Sequence, residues 1–292
     1  MLDTIIVGVD GLEGGRDAIA LAGRLAPLTG ARVVLVHAYP EDPPLSRGAE
    51  QARGLLEAER RLAGVGAELA PCASRSAAQA LHELAGAHEH ALVVIGASRR
   101  GALGRVVAGD AVRATLAGSP SAVAVAPKGY SRAGGEIARI GVGFDGSCEG
   151  ERALRCAAAF ARAAGGTLEV LDVVENPAEP AFGWSYGADV ARAVQSVEEA
   201  AAAVLERAVA GLDVPVEREV RMGVPARELV ALSARADLLV IGSRGFGPAR
   251  RVILGSASDF VVHHARGPVV VLPRSAAPLD EHVPAPALAA EA

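Results

Sequence analysis

The sequence is poor in the residues that mark secreted, membrane-bound or zinc-binding proteins. Only three of its 292 residues are cysteine, Cys72, Cys148 and Cys156, and no two of them form a Cys-x-x-Cys pair. Such a set argues against a disulfide framework and is typical of a reducing cytoplasm. No apolar run reaches the roughly 18 residues that a membrane helix needs. The chain enters a strand-like run within five residues, which leaves no room for a signal peptide. We therefore expect a cytoplasmic protein without membrane contact.

Positive charge and catalytic patterns are also scarce. The 29 Lys and Arg residues are outnumbered by 34 Asp and Glu residues, which gives a formal net charge of −5. Because nucleic acids attract basic proteins, we expect no nucleic-acid binding. His88 and His90, like His263 and His264, lack a third ligand at zinc spacing, so we expect no metal site. No serine belongs to a recognisable triad or nucleophile elbow, and we assign no catalytic residue.

The first half of the chain resembles the second half. The run Ile5–Gly11 matches Ile140–Gly146, and Leu92–Gly96 matches Leu238–Gly242. The offset is 135 at the first pair (140 − 5) and 146 at the second (238 − 92), so the second half has gained eleven residues between them. A repeat of this length indicates two similar domains rather than a solenoid.

Composition and pattern place the domain boundaries. We predict one domain over residues 1–130 and a second over 137–274, joined by a glycine-rich linker near 128–136. The Ala- and Pro-rich tail, 275–292, has no periodicity, and we expect it to be disordered.

Apolar runs alternate with amphipathic segments along both halves. This order predicts the α/β class, with a five-stranded parallel sheet covered by helices in each domain. The predicted strands are 3–9, 31–38, 67–72, 91–96 and 122–126 in the first half and 137–144, 167–174, 215–221, 237–242 and 268–272 in the second. The helices predicted in the second half are 148–164, 188–210, 225–235 and 256–265.

A glycine-rich loop follows the fourth strand of the second half. Gly242 and Gly245 enclose Ser243 and Arg244, and nine residues later Gly255 and Ser256 open a helix. Glycines allow the backbone to approach a ligand closely. Amides at a helix start favour an anion, so the loop is suited to phosphate. It lacks the lysine of a Walker A loop, and it comes too late in its domain for the dinucleotide fingerprint.

This loop resembles the Gly-x2-Gly-x9-Gly-Ser/Thr motif of ATP-binding members of the universal stress protein family. With the repeat, the resemblance to tandem members covers about residues 2–274. It implies two Rossmann-like domains and ATP, with or without Mg²⁺, in the second one. The final strands, 121–126 and 268–272, would pair and join the domains.

The resemblance also implies which residues meet the nucleotide. Asp145 matches the aspartate beside adenine and ribose, although it could instead cap the next helix. The backbone of Val173 matches the position at the adenine edge. The other implied positions are Met222 and Gly223 near the base, and Gly242, Arg244, Gly245, Gly255, Ser256 and Ala257 at the phosphates. Met222 could equally be a core residue and Arg244 a solvated one.

The first half departs from the motif. After Gly96, Arg99 replaces the second glycine, and after Gly109, Asp110 replaces the serine. We expect Asp110 to cap the following helix and to repel phosphate. The first domain is therefore predicted to bind no triphosphate, although a weaker or uncharged ligand stays open.

The implied role is regulatory and not enzymatic. Nucleotide binding would set a conformation that an unidentified regulatory protein reads during stress, and a homodimer stays open. Slow ATPase or autophosphorylating activity near Ser256 is one alternative, and a structural protein with a vestigial site is a second. A third, another adenylate-binding enzyme, is disfavoured because an early Ser-Gly-Gly-x-Asp-Ser loop is missing. The aromatic run of Phe182, Trp184 and Tyr186 could be a lid, a partner contact or surface packing.

Overall fold

The computed structural model describes residues 2–41, 45–97, 106, 109–175, 188–243 and 255–273. The strands of the first half are β1 (Thr4–Gly8), β2 (Arg32–Tyr39), β3 (Glu68–Ala73), β4 (Ala91–Gly96) and β5 (Ala122–Ala126). Its helices are α1 (Glu13–Thr29), α2 (Leu45–Ala63), α3 (Ala77–Gly86) and α4 (Asp110–Leu116), and the short α5 (Tyr130–Ala133) follows.

The second half repeats this order of elements. Its strands are β6 (Arg139–Phe144), β7 (Thr167–Val174), β8 (Val216–Met222), β9 (Leu238–Gly242) and β10 (Val269–Leu272). Its helices are α6 (Cys148–Ala164), α7 (Ala188–Val209), α8 (Pro225–Leu232) and α9 (Ser256–His264). Every predicted strand is present, with each bound within two residues of the prediction.

Local sequence explains where the helices begin and end. Ser147 caps α6, because its Oγ accepts a hydrogen bond from the amide of Gly150 at 3.0 Å. Gly165 ends α6 in the left-handed conformation that favours glycine. Pro225 is the first residue of α8, where its missing N–H costs nothing.

The strands form one ten-stranded sheet in the order β3-β2-β1-β4-β5-β10-β9-β6-β7-β8. Within each half all neighbouring strands are parallel, so the predicted fold class is confirmed. The two halves meet where β5 and β10 pair antiparallel, with Ala124 opposite Val270. The predicted pairing of the final strands is thus confirmed, and each final strand covers an edge that would otherwise be exposed.

Two apolar clusters hold the helices against the two faces of the sheet. One cluster contains side chains from α1 and α6, and the other contains side chains from α3, α4 and α9. Each cluster includes residues of both halves, such as Ala124 and Val270 in the first cluster and Val125 and Val269 in the second. The halves therefore share their cores as well as their sheet.

The linker between the halves is fixed to α1. The buried carboxylate of Asp17 accepts hydrogen bonds from the amide of Gly129 at 2.7 Å and from the amide and hydroxyl of Ser131 at 2.8 and 2.7 Å. Tyr130 is buried between them, and the guanidinium of Arg24 lies 4.8 Å from its ring centre. None of the helices in the described ranges is both long and apolar enough to cross a membrane.

Candidate functional site

A cleft of about 490 Å³ opens at the carboxyl ends of β6, β7 and β9 in the second half. Ligands of open parallel sheets bind at this end, where the strand order changes direction. The starts of α6, α8 and α9 complete the described walls. Among the predicted site residues, the cleft is lined by Asp145, Val173, Gly242, Gly255, Ser256 and Ala257.

Asp145 is held at the start of α6 with its carboxylate fixed in place. Its Oδ1 accepts hydrogen bonds from the Ser147 amide at 3.1 Å and the Ser147 hydroxyl at 2.5 Å. The carboxylate can lie against the helix because Gly150 has no side chain: a Cβ there would lie 2.5 Å from Oδ1. Since Ser147 caps α6, the alternative role of Asp145 as that cap is wrong. A carboxylate held in this way can accept hydrogen bonds from a ligand hydroxyl or amino group.

The other end of the cleft is the start of α9. Its cap is Gly255, which has no side chain to accept hydrogen bonds from the first amides of the helix. The hydroxyl of Ser258 donates to the carbonyl oxygen of Gly242 at 2.8 Å and ties the helix to the end of β9. The amides of Ser256 and Ala257 at this end carry the positive pole of the helix, which favours an anion.

Asp172 also lines the cleft, and sequence reasoning missed it. It lies near the end of β7 and is only 8% exposed. Burial, and secondarily the neighbouring charge of Asp145, raise the pKa of Asp172 from 3.8 to about 6. The available signal was one of the two acids in the otherwise apolar run 168–174, at the place where the first half has a histidine, His37.

The described lining of the cleft is acidic on the side of Asp145 and Asp172. Glu149 and Glu175 also line it, and no lysine or arginine is among the described lining residues. Any attraction for phosphate on this described surface therefore comes from backbone amides and the Ser256 hydroxyl at the start of α9. Within the described ranges, no group of three His, Cys, Asp or Glu residues is arranged to hold a metal ion.

Replacing Asp172 by asparagine should stabilise the protein at neutral pH. Because the folded-state pKa is raised, the folded chain binds this proton more tightly than the unfolded chain does. The carboxylate therefore costs stability above about pH 6, and the cost vanishes below the unfolded pKa near 4. We expect Asp172→Asn to raise the free energy of unfolding by about 2–3 kcal/mol at about pH 8 and by almost nothing at about pH 4. Urea denaturation at both pH values measures this difference.

A matched control for this prediction has the opposite sign. The pKa of Asp213 is lowered by its hydrogen bonds to Arg162, so Asp213→Asn should lose stability at neutral pH rather than gain it. If the stability of Asp172→Asn changed with pH in the same way as that of the parent, the assigned burial of the Asp172 carboxylate would be wrong.

Four of the predicted site residues do not belong to the described lining of the cleft. Met222 pairs with Val174 in the sheet, and the amide of Gly223 donates to the Val174 carbonyl at 3.0 Å. Neither is among the described residues that line the cleft. Arg244 and Gly245 lie outside the described residues, as does the aromatic run 182–186.

The first half has a corresponding but smaller cleft of about 290 Å³. Asp10 occupies the place of Asp145, and its Oδ1 accepts hydrogen bonds from the amides of Leu12 at 2.9 Å and Gly15 at 3.3 Å. In this half the backbone at the end of β4 lies very close to the start of α1, since a Cβ on Gly96 would lie 2.0 Å from the carbonyl oxygen of Gly14. The expected cap by Asp110 is wrong: Gly109 caps α4, and Asp110 is the first helical residue and lines the cleft.

Comparison with known proteins finds the same repeat of two halves. The universal stress protein family model matches residues 1–127 and 136–273. A universal stress protein of Mycobacterium tuberculosis is 37% identical over 203 residues, which are 64% of this chain and 63% of that protein. One of Mycolicibacterium smegmatis is 34% identical over 139 residues, 45% of this chain and 46% of its own length. The matched part thus spans less than two thirds of these curated relatives.

A solved structure supports the fold over nearly the whole chain. The crystal structure of a universal stress protein from Archaeoglobus fulgidus is 19% identical, covers 93% of this chain and 98% of its own, and has a TM-score of 0.65. At this identity the likeness concerns the fold alone. Since the family model matches both halves, the chain belongs to the universal stress protein family.

Proposed function

We propose that the second half binds ATP or a related adenine nucleotide in its cleft, as part of a regulatory role in the stress response. The observation that carries this proposal is the arrangement of the two ends of the cleft. Asp145, fixed by Ser147, offers an acceptor at one end, and the glycine-capped start of α9 offers donors at the other. A nucleotide has the matching chemistry, with hydroxyl and amino donors at one end and an anion at the other.

The size and the charge of the cleft are consistent with this orientation. About 490 Å³ lies within the range of small-molecule sites. The carboxylates of Asp145 and Asp172 lie on the base and ribose side, so the phosphates would point away from them toward Ser256 and Ala257. Mg²⁺ would then be carried by the phosphates, since Mg²⁺ in nucleotide sites is bound largely by phosphate and water.

We propose binding without a dedicated catalytic step. The described lining contains the hydroxyl of Ser256 but neither a lysine nor an arginine to stabilise a phosphoryl group in transfer. The alternative, slow hydrolysis or transfer to Ser256, predicts phosphate release above a no-protein control and loss of that release in Ser256→Ala. Absence of both would favour the purely regulatory role.

Calorimetric titration of nucleotide-free protein with ATP and Mg²⁺ tests the proposal. Ala257 lines the second cleft and Ala111 lines the first at the equivalent position (257 − 111 = 146), so Ala257→Trp and Ala111→Trp are a matched pair. We expect one ATP site per chain in the parent and in Ala111→Trp, and none in Ala257→Trp. ATP binding that survives Ala257→Trp would refute the assignment to the second cleft.

A further inference from the structure

The cleft of the first half is preformed and has a different chemistry from the second. It lies at the carboxyl ends of β1, β2 and β4, and its walls are aliphatic. Leu81, Ile95 and Val112 line it and are each at most 7% exposed, so the slot does not depend on mobile surface side chains. Apolar walls of this kind accept a flat ring, because burying its faces removes apolar surface from water.

The charge at the start of α4 disfavours a phosphate group in this cleft. Asp10 and Asp110 are the charged side chains among its described lining residues, and both are acids. Asp110 is the first residue of α4, at the position that Ser256 holds in α9. A phosphate placed as in the second half would meet this carboxylate, and two like charges about 4 Å apart repel by roughly 4 kcal/mol at an effective dielectric near 20.

The same carboxylates favour a ligand that donates hydrogen bonds. The amides of Leu12 and Gly15 orient the carboxylate of Asp10 as Ser147 orients that of Asp145. Gly15 is needed for this, since a Cβ there would lie 2.8 Å from Oδ1 of Asp10. A ligand hydroxyl or amino group can therefore donate to Asp10, while Asp110 tolerates a neutral hydroxyl.

We propose that the first cleft is a second ligand site, which binds an uncharged nucleoside and rejects nucleotides. The choice of a nucleoside rests on the proposed function of the second cleft, because Asp10, Ala38 and Gly109 stand where Asp145, Val173 and Gly255 stand there. The smaller volume agrees with a ligand that lacks the phosphate chain. The first half would then bind a nucleoside and the second half a nucleotide.

The test uses the full chain carrying Ala257→Trp, so that only the first cleft is open. Calorimetric titration with adenosine should show one site per chain, AMP should bind at least tenfold more weakly, and ATP should not bind. Adding Asp110→Ser should reduce the discrimination against AMP. Adding Ala111→Trp should abolish adenosine binding while the thermal unfolding temperature stays within a few degrees, since Ala111 is an exposed residue of α4.

Three results would overturn the proposal: no adenosine binding in Ala257→Trp, adenosine binding that persists in the Ala111→Trp/Ala257→Trp double variant, or AMP binding as tight as adenosine. The proposed function is tested separately, by ATP titration of the single variant Ala111→Trp. If Ala111→Trp did not bind ATP but Ala257→Trp bound adenosine, the proposed site in the second cleft would be rejected and the proposed site in the first cleft would stand.

Discussion

Replacing Ser256 by aspartate should lower the affinity of the chain for ATP by about a hundredfold to a thousandfold. The substitution puts at the start of α9 the residue that α4 has at its own start, Asp110. The added carboxylate repels the phosphates by roughly 4 kcal/mol at about 4 Å and an effective dielectric near 20, and each 1.4 kcal/mol is a factor of ten. Calorimetric titration of the parent and the variant with ATP measures the loss.

The neutral substitution Ser256→Asn is the control for this charge effect. Asparagine has nearly the shape of aspartate without its charge, so it should cost much less affinity than aspartate does. Ser256 is exposed at the first helical position, and neither variant should alter folding. Equal losses from asparagine and aspartate would show that shape, and not charge, decides binding at this position.

The sequence predicted the sheet well because the strands are buried on both faces. Runs such as Leu238–Ile241 are continuously apolar, and such runs identify strands of parallel sheets whatever their neighbours are. The pairing of β5 with β10 was implied by the family resemblance, and it agrees with the need of two apolar edges for partners. The repeat also showed which residues of the two halves are equivalent.

The site was harder to predict, because side-chain direction and capping depend on the folded backbone. Asp172 was missed, since β7 carries two acids, Glu169 and Asp172, and the strand pattern does not show which of them lines the cleft. Asp145 and Asp110 were both considered as helix caps, yet the caps are Ser147 and Gly109. The actual caps lie two residues and one residue away from the predicted ones, a difference that sequence patterns do not resolve.

Met222 and Gly223 illustrate a second limit. Their implied role came from the motif Gly-x-Pro-Ala, which the chain contains at Gly223. In the structure the amide of Gly223 pairs with the carbonyl of Val174 and closes the end of β7 against β8. Of this motif, Pro225 lies on the described wall of the cleft and Gly223 does not. The assignment of Met222 and Gly223 to the nucleotide stays a prediction.

Replacing Val270 by aspartate should cost about 4–5 kcal/mol of unfolding free energy, because it buries an unpaired charge. Val270 is fully buried in β10, opposite Ala124 of β5, within a cluster that both halves share. The parent should unfold in one transition in urea, monitored by circular dichroism. The variant should unfold in two transitions, since the seam between the halves, which is the pairing of β5 with β10, separates first.

The control for this variant is Leu62→Asp, which adds the same charge where the side chain is 66% exposed, and its midpoint should hardly change. A single transition at the parent's midpoint in Val270→Asp would mean that the seam contributes little to stability.

The expected unfolding of Val270→Asp in two transitions also has a consequence for ligand binding. Since β10 connects the seam to β9, and β9 ends at Gly242 in the second cleft, a weakened seam should also weaken ATP binding.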